Sequence, residues 1–348
     1  MAVVDALKAV ASQCIVLHHL AIYGPMSDVA RPLAPALIDW LDVYGRYAVQ
    51  VFLVIGGFLA ARALAPRGLM TIQAPAGFVA RRFLRLAPTY WVALAAALGA
   101  AALARAWADV PHASPAPGPG QLLANLFMVQ DILEVPALSA GQWYVAIDLQ
   151  LHALFVLMLW LSAAAAPAAT DGAQRLGMVV VTLGTAVSLF GFNRDTAWEV
   201  WAPYFFGAYG LGALAWWGGS ASRALERRAM AGLIVALTVL ALIVDWRDRI
   251  ALAGLTALLL LASTAPGALS RWQGLAVLNG LGKISYSVFL IHYPVLLVFD
   301  AAAARWLPAQ PVLHALALIA AWAASLLAGA LLWRSVESRL APKRKRAA

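Results

Sequence analysis

The sequence predicts an all-α integral membrane protein, a bundle of about ten transmembrane helices with both termini cytoplasmic. Three observations carry this expectation. Apolar residues make up 63% of the 348 residues and charged residues only 12%, with a mean hydropathy of +0.80; a soluble domain carries roughly 25% charge. The apolar residues fall into continuous runs near the ~20 residues that a helix needs to cross the hydrocarbon. Basic residues are sorted to alternate ends of those runs.

The expected spans are 3–24, 42–64, 86–108, 141–163, 175–192, 201–218, 229–245, 249–266, 278–300 and 311–333. The first holds Lys8, Cys14, His18 and His19. It has no cleavage context, and nothing hydrophilic follows it, so it is not a signal peptide. The second begins near Arg46 and carries Gly56-Gly57, which permits close helix approach. The third starts at the end of Arg81-Arg-Phe-Leu-Arg85-Leu-Ala-Pro88-Thr-Tyr90. The fourth opens with Trp143 and Tyr144, suited to the interface, and contains Asp148 and His152. The fifth, sixth and eighth are short or interrupted by Gly and Pro. Charge clusters bound the last ones: Asp245 to Arg249, Arg271, and Arg334 onward. Ala and Leu dominate the runs, and both favour helix. A β-barrel would instead show short alternating segments.

With ten spans and the start inside, 18 of the 25 basic residues fall on the cytoplasmic side, the positive-inside pattern. Residues 25–41 and 109–140 then face the other side. The second stretch begins Pro-rich (Pro111, Pro115, Pro117, Pro119), and its apolar part, Leu122 to Ile132, is expected along the interface. Residues 1–338 read as one transmembrane domain and 339–348 as a basic cytoplasmic tail. The net charge of +9 calls for no nucleic acid; Lys343 to Arg346 suit anionic lipid. Cys14 stands alone, and no metal-ligand spacing accompanies it.

Ionisable groups inside the runs are costly unless they face a partner, a cavity or a substrate. Lys8 and His19 are eleven residues apart, three helical turns plus about 20°, so they share one stripe roughly 16 Å long. A buried neutral histidine can act as a general base; it can equally hold two helices together. Asp148 lies about two turns into the fourth span from its outer end. At that depth it is neutral or paired, and a carboxylate against an imidazole would orient the ring. Arg81 and Arg85 share a face, with Arg82 alongside; guanidinium groups fork onto phosphates, and they also mark topology. In the ninth span, Lys283 marks the inner end, His292 sits about ten residues in, and Pro294 should bend the helix.

Together these elements resemble the membrane-bound acyltransferase-3 family of multi-spanning O-acyltransferases. The family's Arg, ten residues and His correspond to Lys8 and His19. Its Phe-Phe-x-x-Ser-Gly-Phe corresponds to Phe52 through Phe58, with Gly56 in place of serine. Its Arg-rich stretch before Pro-x-Tyr matches Arg81, Arg82, Arg85, Pro88 and Tyr90. Its Trp-Ser-Leu-x-x-Glu corresponds to Trp143 through Asp148. Its late segment corresponds to Gly282, Ser285, Tyr286, Phe289, Leu290, His292 and Pro294. The resemblance runs from residue 5 to about 338. Lys8 lacks the bidentate fork of arginine, Asp148 is one methylene shorter than glutamate, and Gly56 lacks a hydroxyl.

The resemblance implies an enzyme of the bacterial inner membrane. It takes an acyl group from cytoplasmic acyl-CoA, with acetyl-CoA the expected donor, and delivers it to a hydroxyl of a sugar, glycan or lipid-linked glycan at the outer side. No permanently bound cofactor and no metal is expected. Arg81, Arg82, Arg85 and Tyr90 would serve the donor. His19 would act as base or nucleophile with Asp148 orienting it; Lys8, Tyr286 and His292 are candidate donors to the oxyanion. The alternative is a transporter, supported by the span count and the intramembrane charges. The lack of an inverted repeat and the inner arginine cluster speak against it.

Overall fold

The computed structural model describes residues 1–68, 74–108, 110, 112–165 and 171–340, without the side chains of 171–174. Pro111 and the basic run Lys343 to Arg346 lie outside the described residues. Of the described residues 83% are helical, and none lies in a strand. In order the helices are α1 Ala2–Ile22, α2 Met26–Ala30, α3 Pro35–Tyr44, α4 Val49–Leu64, α5 Pro75–Trp107, α6 Pro119–Leu126, α7 Gln142–Ala165, α8 Asp171–Phe190, α9 Ala202–Ser220, α10 Ala224–Val244, α11 Asp248–Thr264, α12 Ala268–Arg271, α13 Ala276–Trp306, α14 Pro311–Leu332 and α15 Ser338–Leu340.

Every one of the ten expected runs is a helix. Among the described residues, eight stretches are long and apolar enough to cross a membrane. The two others are α9 and α11. α11 has 17 residues. α9 is diluted by Gly207, Gly210, Gly212, Gly218 and Gly219 and by two Tyr and two Trp residues. The reason is packing. α4, α8, α10 and α11 all lie against α9, so its side chains meet protein instead of lipid and need not be uniformly apolar. Small residues set the approach: a Cβ on Gly57 would run into the Tyr209 carbonyl, and one on Gly212 into that of Val54.

The chain forms two compact units. One comprises Met1–Ala11, Tyr47–Phe83 and Tyr144–Gly282; the other comprises Ser12–Arg46, Leu84–Trp143 and Lys283–Ala348. The first is built around α9. The second has a core of Val16, Leu20, Met26, Ala104, Val288 and Leu296, among others. In it α5 and α13 run parallel: Tyr286 Oη donates to the Leu86 carbonyl at 3.2 Å, and Arg305 Nη1 to that of Trp107 at 3.3 Å. Pro88 and Pro294 sit inside these two helices; α5 starts well before Pro88 and continues through it.

The segment between α5 and α7 folds back along α5. α5 has 33 residues, about 50 Å of rise. The C-terminal end of α6 does not stay beside Trp107. Tyr90 Oη donates to the Asn125 carbonyl and Trp91 Nε1 to the Leu126 carbonyl, both at 2.9 Å. Those residues lie roughly 25 Å of helical rise before the end of α5. The segment is therefore re-entrant. Its irregular backbone needs partners that lipid cannot supply, and its own amides provide them. Asn125 Oδ1 and Gln142 Oε1 accept from the Leu138 N–H at 3.1 and 3.0 Å, and Gln121 Nε2 donates to the Pro136 carbonyl at 3.0 Å. Leu123 and Phe127, over half exposed, turn apolar surface outward as hydrocarbon requires. α7 consequently starts beside the middle of α5.

Candidate functional site

Two histidines meet inside the second unit. His19 Nδ1 lies 2.6 Å from His292 Nε2. The rings are parallel within 1°, with centroids 4.9 Å apart. That separation fits two coplanar rings joined nitrogen to nitrogen, not two stacked faces. His292 is 1% exposed, and its Nδ1 lies 3.2 Å from the Val288 carbonyl, one turn back on α13. His19 is half-buried. Tyr23, one turn further along the chain, brings its ring centroid to 5.5 Å from that of His19 and packs against Tyr293 and His112. Below His292, Phe289 touches Gly141, the residue before α7; a Cβ there would meet the Phe289 ring, and the backbone has φ +83°.

Arg85 is exposed on α5. With the two cross-helix bonds of α5 and α13 as a ruler, its level falls about seven to nine residues before His292, roughly 11–14 Å of rise. Tyr286 lies between these levels, its hydroxyl on Leu86. Tyr90 is buried, with its hydroxyl held by the re-entrant segment.

In the first unit, Arg82 forks onto Asp148: Nη2 to Oδ2 at 2.7 Å and to Oδ1 at 2.9 Å, Nε to Oδ2 at 3.1 Å. The carboxylate side chain is 8% exposed. Gly56 faces this pair; a Cβ there would sit 3.1 Å from the Tyr209 ring and 3.6 Å from Asp148 Oδ1. Arg81 is exposed, with its guanidinium over the Phe78 ring at 4.0 Å. Lys8 is half-buried on α1.

A family model described as an acyltransferase domain, Acyl_transf_3, matches residues 1–334. The chain belongs to the acyltransferase-3 family. It is an acyltransferase, and its apolar helices make it an integral membrane protein. No curated protein and no solved structure matches the chain.

The acyltransferase brings together two of the residues singled out in its sequence, His19 and His292, and separately pairs Arg82 with Asp148. The expected partner of His19, Asp148, is engaged by Arg82, and the His19 ring is held by His292 instead. Of the arginines, Arg81 and Arg85 have exposed guanidinium groups, whereas that of Arg82 is occupied. His292 has both ring nitrogens in hydrogen bonds, which leaves none to donate to an oxyanion.

Two contributors escaped the sequence reading. Tyr23 follows His19 by four residues, the spacing of helical neighbours, and that signal was visible. Asn125 is an amide inside an apolar stretch, which needs partners wherever it is buried.

Proposed function

We propose that the protein is an O-acyltransferase that moves an acyl group from cytoplasmic acyl-CoA to a hydroxyl of a sugar, glycan or lipid-linked glycan at the outer side of the membrane. The observation that carries this reading is the His19–His292 pair, set roughly 11–14 Å of helical rise from exposed Arg85 within one compact unit. A guanidinium suits the phosphates of coenzyme A, and a pantetheine arm is long enough to carry the thioester from there to His19. His19 would take the proton from the acceptor hydroxyl as the oxygen attacks the thioester carbon. Arg81 and Arg85 would hold the donor. The Arg82–Asp148 pair would brace α5 against α7. The positive-inside count supports cytoplasmic termini, and the family supports a bacterial inner membrane. No permanently bound cofactor or metal enters the scheme; acetyl-CoA is the expected donor and membrane lipid the surrounding partner.

The test uses membranes containing the protein, radiolabelled acetyl-CoA, and mass spectrometry of glycans and lipids. Label should pass to a glycan or lipid fraction with wild-type protein and not with His19→Ala. Equal labelling by both rejects the assigned base. Solute uptake into vesicles without any acyl donor would favour the transporter alternative.

A further inference from the structure

We infer that His292 is a positioning residue that fixes His19 as the Nδ1–H tautomer, leaving Nε2 as its basic atom, and that acyl transfer passes directly from donor to acceptor. The inference rests on the acyl-transfer reading for its chemistry, but its geometry stands alone.

The hydrogen positions follow from the far end of the chain of bonds. A backbone carbonyl only accepts. The Val288 carbonyl, 3.2 Å from His292 Nδ1, therefore requires a proton on that nitrogen, and the Phe289 carbonyl is a second acceptor in reach. A neutral imidazole with Nδ1–H presents a lone pair at Nε2. That lone pair faces His19 Nδ1 at 2.6 Å, so His19 donates there. The coplanar rings put this N–H in the plane where the lone pair lies. The lone pair of His19 is then at Nε2. A carboxylate in the place of His292 would give the same tautomer and also stabilise the imidazolium. Here the chain ends in a carbonyl, which cannot take the proton onward.

This ending bears on the route. In direct transfer the acceptor O–H proton moves to His19 Nε2 while the acceptor oxygen bonds to the acyl carbon. The C–S bond then breaks, and the coenzyme A thiolate leaves with the proton returned from Nε2. The imidazolium exists only within one encounter and has the leaving thiolate to neutralise it. An acyl group on Nε2 would leave a ring substituted at both nitrogens and positively charged. It would become neutral only by passing its Nδ1 proton to His292, which already holds one. Either cation would have to persist after coenzyme A departs, with a carbonyl and not a carboxylate at the end of its chain of bonds, and an uncompensated buried charge is costly.

The test compares His292→Gln with His292→Leu in the full chain. The glutamine amide can accept from His19 and donate to Val288; leucine does neither. The probe is coenzyme A release from acetyl-CoA by membranes containing the protein with its native lipids and glycans. His292→Leu should lower kcat by about 10²–10⁴-fold, the range of a misplaced general base, with KM for acetyl-CoA unchanged. His292→Gln should stay within about tenfold of wild type. Long-range ¹⁵N correlation spectra of histidine-labelled protein in nanodiscs should show His19 protonated at Nδ1 in wild type, and losing that preference in His292→Leu. A wild-type His19 protonated at Nε2 overturns the inference, as do leucine and glutamine variants that behave alike. Radiolabelled acetyl groups recovered on His19 after acid quench overturn direct transfer. Wild-type membranes that release no coenzyme A would instead reject acetyl-CoA transfer, and the spectra alone would still decide the tautomer.

Discussion

Truncating Asp148 separates bracing from chemistry. Arg82 meets the carboxylate through contacts of 2.7, 2.9 and 3.1 Å, with 8% of the Asp148 side chain and 29% of the Arg82 side chain exposed. A charge-assisted bond contributes about 1.5–3 kcal/mol, and removing one partner of a buried pair costs about 3–5 kcal/mol because the other charge is stranded. The two truncations should not cost the same. Asp148→Ala strands a guanidinium that is still partly exposed, so its cost should lie near 3 kcal/mol. Arg82→Ala strands the more buried carboxylate, so its cost should approach 5 kcal/mol. The double replacement Arg82→Met with Asp148→Leu leaves no orphan charge and should recover about 2–3 kcal/mol relative to the sum of the single changes. The assay is denaturant unfolding of the purified protein in detergent micelles, read by tryptophan fluorescence, beside turnover per folded molecule. Asp148→Ala with unchanged unfolding and abolished turnover would refute the bracing role and return the carboxylate to the reaction.

His19→Ala should leave detergent-stable yield unchanged and remove turnover; normal specific activity would reject the assigned base. Arg85→Ala, and Arg81→Ala beside it, should raise KM for acetyl-CoA by the equivalent of about 1.5–3 kcal/mol, and an equal response to dephosphorylated donor would make these residues topology markers only. Gly57→Ala drives a methyl into the Tyr209 carbonyl and should cost about 1–3 kcal/mol, seen as lost folded yield. A cysteine at Leu123 or Phe127, in a Cys14→Ala background, should resist water-soluble maleimide from either side of the membrane; fast labelling would place α6 in water and end the re-entrant assignment.

Much of this protein was legible before folding was considered. Membrane helices must satisfy their backbone internally, so apolar length alone marked all ten runs. Lys8, His19, the arginines and His292 stood out because ionisable groups in such runs are costly. The family followed from their order along the chain. Partners were less legible, because a partner depends on where each helix begins in depth. α6 carries no charge to report its position, and nothing in the run of α7 marks Arg82 as the partner of Asp148. The close approach of α9 likewise depends on what faces it; a run of glycines and aromatics reads as a poor span until α4 is packed against it. The sequence by itself determined which side chains were available for chemistry and which family they serve. The tertiary structure decided which of them share a hydrogen bond, because a bond of 2.6 Å between His19 and His292 joins residues 273 positions apart, and no local spacing constrains such a distance.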